Sequence, residues 1–138
     1  MAKALSRRVG TAAIQKVTSL LVVEAIEPLL PMWEALGMSR TVEVPHEGRL
    51  GFVILAGDGT EIMLQSRASL QDDAASVAKH AKGPLLYCDV DSLAKARKAV
   101  EKDTSVKVLI KERETPYGAR EMWIVDGAGT VIGFAEHA

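Results

Sequence analysis

The sequence predicts an α+β fold made of two consecutive strand–helix–three-strand (βαβββ) modules, and three observations carry that reading. Segments 17–65 and 84–136 pass through the same order of apolar strand, amphipathic helix and three further strands. Each copy has a glycine-bracketed turn before its last strand, Gly57-Asp58-Gly59 in the first and Gly127-Ala128-Gly129 in the second. A polar, alanine-rich stretch at 69–82 separates the two. Modules packed side by side enclose a junction, and ligands commonly occupy such concave surfaces.

The elements follow in order. Residues 18–23 are apolar and rich in β-branched side chains, as a first strand requires. Ile26, Leu29, Leu30, Trp33 and Leu36 recur at helical spacing and Gly37 supplies a stop, so 26–36 reads as the first helix. Segment 40–44 alternates as a half-exposed strand does; Pro45-His46-Glu47-Gly48 turns into a strand over 50–56, and Gly57-Asp58-Gly59 turns again into 60–65. Within 69–82, Leu70, Ala74, Val77 and Ala78 share one face of a connecting helix that Gly83-Pro84 ends. The second module repeats the plan: a strand over 85–90, then a helix capped by Asp91 or Ser92 and running to 102, with Leu93, Ala96, Ala99 and Val100 inward. A strand over 106–112, a turn at Thr115-Pro116-Tyr117-Gly118 and strands over 120–125 and 130–136 complete it. The organisation is an N-terminal arm or short helix over 1–16, a module over 17–66, a connecting helix over 67–83 and a module over 84–138, all in one structural domain. A ferredoxin-like pair of sheets uses similar ingredients, but the second hairpin of each module favours three trailing strands.

Composition narrows the function classes. With 138 residues, 48% hydrophobic and 25% charged, the chain can bury a sizeable core. A formal net charge of −1 leaves no broad basic surface, so nucleic acid is not an expected partner. The single cysteine, Cys88, precludes an internal disulfide and sits in an apolar run, where it reads as a small buried hydrophobe. Glu24, Glu27, Pro28, Pro31 and Glu34 interrupt the apolar stretch 17–36, so no membrane span is expected; Lys3, Arg7 and Arg8 lack the apolar run of a signal peptide, and the expected location is cytoplasmic. Both glycine turns lie between strands and therefore read as hairpins, not phosphate cradles. Lys95, Arg97 and Lys98 read as the solvated face of a helix, and Asp72-Asp73 as a charge pair at a helix start. His46, His80 and His137 have no metal-binding spacing and read as solvent-exposed.

Leu20-Leu21-Val22-Val23, the helix ending Trp33-Glu34-Ala35-Leu36-Gly37, and Gly57-Asp58-Gly59-Thr60-Glu61-Ile62-Met63-Leu64-Gln65 resemble the first module of the vicinal oxygen chelate superfamily. Leu86-Tyr87-Cys88-Asp89-Val90-Asp91-Ser92-Leu93, Tyr117-Gly118-Ala119-Arg120-Glu121 and Asp126-Gly127-Ala128-Gly129 resemble its second. That superfamily contains glyoxalase I, fosfomycin resistance proteins, extradiol dioxygenases and bleomycin resistance proteins. Over 17–136, the resemblance implies a curved eight-stranded mixed sheet forming a cup, helices on the outside, and a homodimer.

The superfamily's chemistry uses a divalent metal held by His, Glu or Gln in the first and last strand of each module, because such ions need nitrogen or oxygen donors converging at about 2 Å. The corresponding positions here are Thr18, Met63, Leu85 and Gly133, so neither metal nor cofactor is expected, and Glu61 is the only plausible displaced ligand near them. Strand alternation from Met63 puts Glu61 and Gln65 in the cup and Ile62 and Leu64 toward the helices; Leu85, Tyr87, Asp89, Glu121, Trp123 and Val125 face the cup in the second module. Thr18, Leu20, Val22, Val53 and Leu55 complete the expected lining. The candidate ligand-binding set is Thr18, Leu20, Val53, Glu61, Met63, Gln65, Tyr87, Glu121 and Trp123, with no catalytic residue assigned.

Such a hollow suits a small aromatic or cationic organic molecule, sequestered as the resemblance to metal-free bleomycin resistance proteins implies. The alternative is a metal-dependent lyase, isomerase or dioxygenase of the glyoxalase type using Glu61, Glu121 and His46 at a non-standard site. A third reading, an interaction module, applies if the cup is filled by the protein's own side chains.

Overall fold

A computed structural model describes residues 13–138. The residues before them, most of the expected arm, lie outside the described part, and β1 (Ile14–Val23) already takes up the arm's last three positions. The Ala13 amide donates to Asp91 Oδ1 at 2.8 Å, and its carbonyl accepts from the Asp91 amide, which secures the strand's start. A 3₁₀ turn (Glu27–Leu29) and α1 (Leu30–Ala35) replace the expected continuous helix. Pro28 and Pro31 each sit in the first turn of their short helix, where a missing N–H is tolerated; Ile26 and Leu30 are buried, while Leu36, expected inside, lies at the end of α1 and is 69% exposed.

Strands β2 (Ser39–His46), β3 (Arg49–Gly57) and β4 (Thr60–Ser66) follow. Pro45 is part of β2 and not of the turn; β2 is an edge strand, where a missing N–H is tolerated. The turn itself is Glu47-Gly48, both residues at positive φ (51° and 81°), the backbone of a two-residue hairpin. The expected connecting helix is two short ones, α2 (Arg67–Asp73) and α3 (Ala75–His80), broken at Ala74 (φ −151°, ψ 79°). The second module comprises β5 (Leu85–Val90), α4 (Leu93–Glu101), β6 (Lys107–Glu114), β7 (Ala119–Val125) and β8 (Val131–His137). Ser92, not Asp91, caps α4, accepting from the Lys95 amide at 3.2 Å.

Among the described residues, eight strands form one mixed sheet in the order β2-β3-β4-β1-β5-β8-β7-β6. Within each module the first strand pairs parallel to the last, β1 with β4 and β5 with β8, and the modules join through the antiparallel pair β1–β5. The sheet is open, with β2 and β6 as its two edges.

Strand alternation sorts the core into layers. Against the outer face, Ile26 before the 3₁₀ turn and Leu30 of α1 pack on Val53, Leu55 and Leu64, and α4 packs Leu93 and Ala96 on Cys88, Met122, Ile124 and Phe134. Residues one step along the same strands, Tyr87 and Trp123, belong to a third cluster on the opposite, cup-side face. The module helices therefore lie outside, as expected. The connecting helices take the cup side: Leu70, Ala74, Val77, Ala78 and Ala81 pack there with Leu20, Leu85, Tyr87 and Trp123. Helix α2 lies over β1, β3 and β4, and α3 reaches β6. Gly51 permits the close approach, since a Cβ there would meet Ser69 Cβ at 3.2 Å and His46 Cβ at 2.5 Å.

Candidate functional site

The cup floor is built from two rows of paired residues. Thr18, Tyr87, Gly133 and Trp123 pair successively across β1, β5, β8 and β7; the next row is Lys16, Asp89, Ala135 and Glu121. The Trp123 and Tyr87 rings lie 5.8 Å apart at 43°, within the range of favourable aromatic contact. The indole covers Gly133 so closely that a Cβ there would sit 2.7 Å from two of its ring carbons.

Glu121 is the centre of this site. Its side chain is buried, and four donors converge on it from three elements and a turn. Oε1 accepts from Arg113 Nε on β6 and from Trp123 Nε1 on its own strand, each at 3.0 Å. Oε2 accepts from the Tyr87 hydroxyl on β5 and from the Tyr117 hydroxyl, in the β6–β7 turn, at 3.1 Å. An ionised carboxylate has about four acceptor positions, so none remains free for an incoming proton donor, a metal or a cationic ligand. Arg113 also grips Asp73 at the end of α2: Nη1 reaches Asp73 Oδ1 and its carbonyl oxygen at 3.1 Å, and Nη2 reaches Oδ2 at 3.0 Å.

Titration behaviour follows from these contacts. Burial, and then the charge of Glu121, hold the Tyr87 hydroxyl well above its ordinary pKa. Tyr117 is pushed up to about 12 by burial and by Glu121; its ring is largely exposed, but its hydroxyl turns inward. For Arg113 burial acts to lower the pKa, and the Asp73 hydrogen bonds and Glu121 charge outweigh it, so the guanidinium stays above its usual value. Burial pushes the Cys88 thiol up, which suits the inert buried cysteine expected from sequence.

Most of the expected lining is on the cup side. Leu20, Tyr87 and Trp123 are buried there, with Met63 partly buried against them. Thr18 is buried opposite Tyr87, Gln65 donates to Ser69 Oγ on α2 at 3.3 Å, and Glu61 pairs with Lys16 at the cup's polar end. Val53 and Leu55 are corrections. Val53 pairs with Leu64, and directly opposed residues share a face, so both β3 residues face α1. Both sides of β3 are apolar, so its alternation offered no way to choose between them.

The four positions at which the resemblance implies metal ligands, Thr18, Met63, Leu85 and Gly133, do not make a fitting donor set. They present a buried hydroxyl, a thioether, the fully buried aliphatic Leu85, and a glycine whose side-chain space is taken by the Trp123 ring. Nor do Glu61, Glu121 and His46 converge as the alternative reading requires: Lys16 holds the first, four donors the second, and Asp72 the third, at 2.7 Å. Among the described residues, His46, Glu47 and Asp72 do bring their ligand atoms within 4.8 Å of one another, on the surface between the β2–β3 turn and α2. Asp72 and Asp73 thus lie at the end of α2, not at a helix start as expected, and both are engaged.

No helix among the described residues is long and apolar enough to cross a membrane. No protein-family model and no curated protein matches the chain. Solved structures do. A glyoxalase/bleomycin resistance protein/dioxygenase superfamily member from Vibrio splendidus superposes with a TM-score of 0.64 at 18% identity, covering 88% of this chain and 97% of that one. Methylmalonyl-CoA epimerase from Mycobacterium tuberculosis gives 0.61 at 22% identity, covering 91% and 89%. A hypothetical protein from Bacillus halodurans gives 0.67 at 16%, covering 92% and 95%. With its paired βαβββ modules and single curved sheet, the chain has the fold of the glyoxalase/bleomycin resistance/dioxygenase, or vicinal oxygen chelate, superfamily.

Proposed function

We propose that the protein binds a small, neutral, planar organic molecule in the cup, holding it without covalent chemistry. The observation that carries this reading is the Tyr87–Trp123 pair on a floor where Glu121, the one buried carboxylate among the described residues, is already saturated and faces a guanidinium. Aromatic rings at that spacing supply stacking surface, and a cation would have to compete with Arg113 for Glu121. Of the two ligand classes suggested by the sequence, the aromatic one is therefore preferred. Leu70 and Val77 cover this surface, so a ligand has to displace them.

The same packing favours a second reading, an association module whose cup is closed. A homodimer accompanies both readings through the fold resemblance, and sedimentation velocity measures it.

The test compares a neutral dye, N-phenyl-1-naphthylamine, with a quaternary ammonium naphthalene, using Trp123 fluorescence in Trp33→Phe protein and the melting temperature. A ligand bound only by the native state at about 100 times its Kd stabilises by roughly 2.7 kcal/mol. The proposal expects that scale of response from the neutral dye alone. Preference for the cation would overturn the charge argument, silence from both compounds would favour the association module, and one tightly retained metal ion per chain would overturn both readings.

A further inference from the structure

The helices over the cup have the anatomy of a flap. Helix α2 leaves β4 directly, with the Ser66 hydroxyl accepting from the Ser69 amide at 3.1 Å, and α3 returns to β5 through Ala81 to Pro84. Both roots border open clefts: Ser66 and Ala68 line one, and Ala81, Lys82, Gly83 and Pro84 line the other. The tip is the break at Ala74, preceded by Asp72 and Asp73. These two consecutive aspartates reach opposite edges of the sheet: Asp72 meets His46 on β2 at 2.7 Å, and Asp73 meets Arg113 on β6 at 3.0 Å. The underside presents one leucine, one valine and three alanines to the cup, a small apolar contact for a segment spanning its width.

We infer that α2 and α3 form a two-helix flap, hinged at 66–67 and 81–84 and latched at its tip by Asp72 and Asp73, which regulates access to the cup. The inference rests on the cup being the binding site, as proposed above. The latch couples tip and floor, because the guanidinium that holds Asp73 also holds Glu121, which in turn orients Tyr87 and Trp123. Release of Asp73 removes one of the two tip contacts and loosens the cover, leaving Asp72 on His46, while the floor keeps its own four hydrogen bonds.

The test is amide hydrogen exchange of the full chain carrying Asp73→Ala, with Asp73→Asn as a milder variant and Glu112→Ala as a control that removes ion pairs from Arg97 and Arg120. Losing hydrogen bonds to a charged group corresponds to about a tenfold rise in the opening equilibrium. Exchange across 67–80 should therefore accelerate about tenfold in Asp73→Ala, with β1, β5 and β8 unchanged and the control silent. An unchanged rate, or an equal rise throughout the sheet, overturns the flap. Binding of N-phenyl-1-naphthylamine separates the two claims: tighter binding by Asp73→Ala supports both, whereas faster exchange with no dye binding by either protein overturns the cup reading and leaves the hinge motion standing.

Discussion

Replacing Glu121 with alanine tests whether one carboxylate organises the cup floor. The side chain is wholly buried and satisfies four donors, which do not suffer equally from its loss. Tyr117 is exposed and can turn to water, and Arg113 retains Asp73. Tyr87 and Trp123, at 8% and 4% exposure, have no such recourse. A buried donor left unpaired costs about 1–3 kcal/mol, so the two together cost roughly 2–6 kcal/mol. Arg113 is part-exposed and keeps its Asp73 partner, so it adds little to that cost. Glu121→Ala should therefore lose roughly 2–6 kcal/mol in urea unfolding followed by circular dichroism, a large part of the roughly 5–15 kcal/mol of a typical domain. Glu121→Gln should lose less, about 1–3 kcal/mol, because its NH₂ can face the two tyrosine hydroxyls, which can also accept. An alanine variant within about 1 kcal/mol of wild type would refute the role assigned to the carboxylate, since a single unpaired buried donor already costs that much.

The tyrosines give a pH prediction. Tyr87 and Tyr117 are the chain's two tyrosines, and both hydroxyls have raised pKa values in the folded state, Tyr117 to about 12. A group with a raised folded pKa contributes stability that is complete below its unfolded value near 10 and is lost as pH climbs through the folded value. Native protein should thus show no tyrosinate absorbance step near pH 10 while urea-unfolded protein does, and its stability should fall between about pH 10 and 12; a native step near 10 contradicts the geometry. Gly133→Ala forces a Cβ into the Trp123 ring and should cost about 1–3 kcal/mol with a changed near-ultraviolet circular dichroism spectrum. Unaltered stability and spectrum would mean that the indole does not lie over β8.

Local periodicity carried much of this molecule. The two-residue alternation of β4, β5 and β7 correctly separated Met63 from Leu64, Tyr87 from Cys88 and Trp123 from Met122, because one face of each strand meets a module helix and the other the cup. The 3.6-residue spacing of Leu70, Ala74, Val77 and Ala78 identified a buried helical face, and all four are buried. That spacing holds no record of which surface receives the face, so the arrival of the connecting helices on the cup side was not legible. Val53 was misplaced for a related reason, since hydrogen-bonded pairing with β4 decides its side and both sides of β3 are apolar.

The repeated module, the order of the strands, and the faces of those strands whose alternation is unambiguous were legible along the chain. These depend on neighbours a few residues apart, within the reach of helix and strand periods. Only the tertiary structure decided that Glu121 is saturated by four donors, that Asp72 and Asp73 reach opposite edges of the sheet, and that the cup is covered. Tyr87 lies 34 residues from Glu121, and Asp73 lies 40 from Arg113. Such partners meet only when the whole sheet has curved, and no local pattern encodes which charge will face which across a cup.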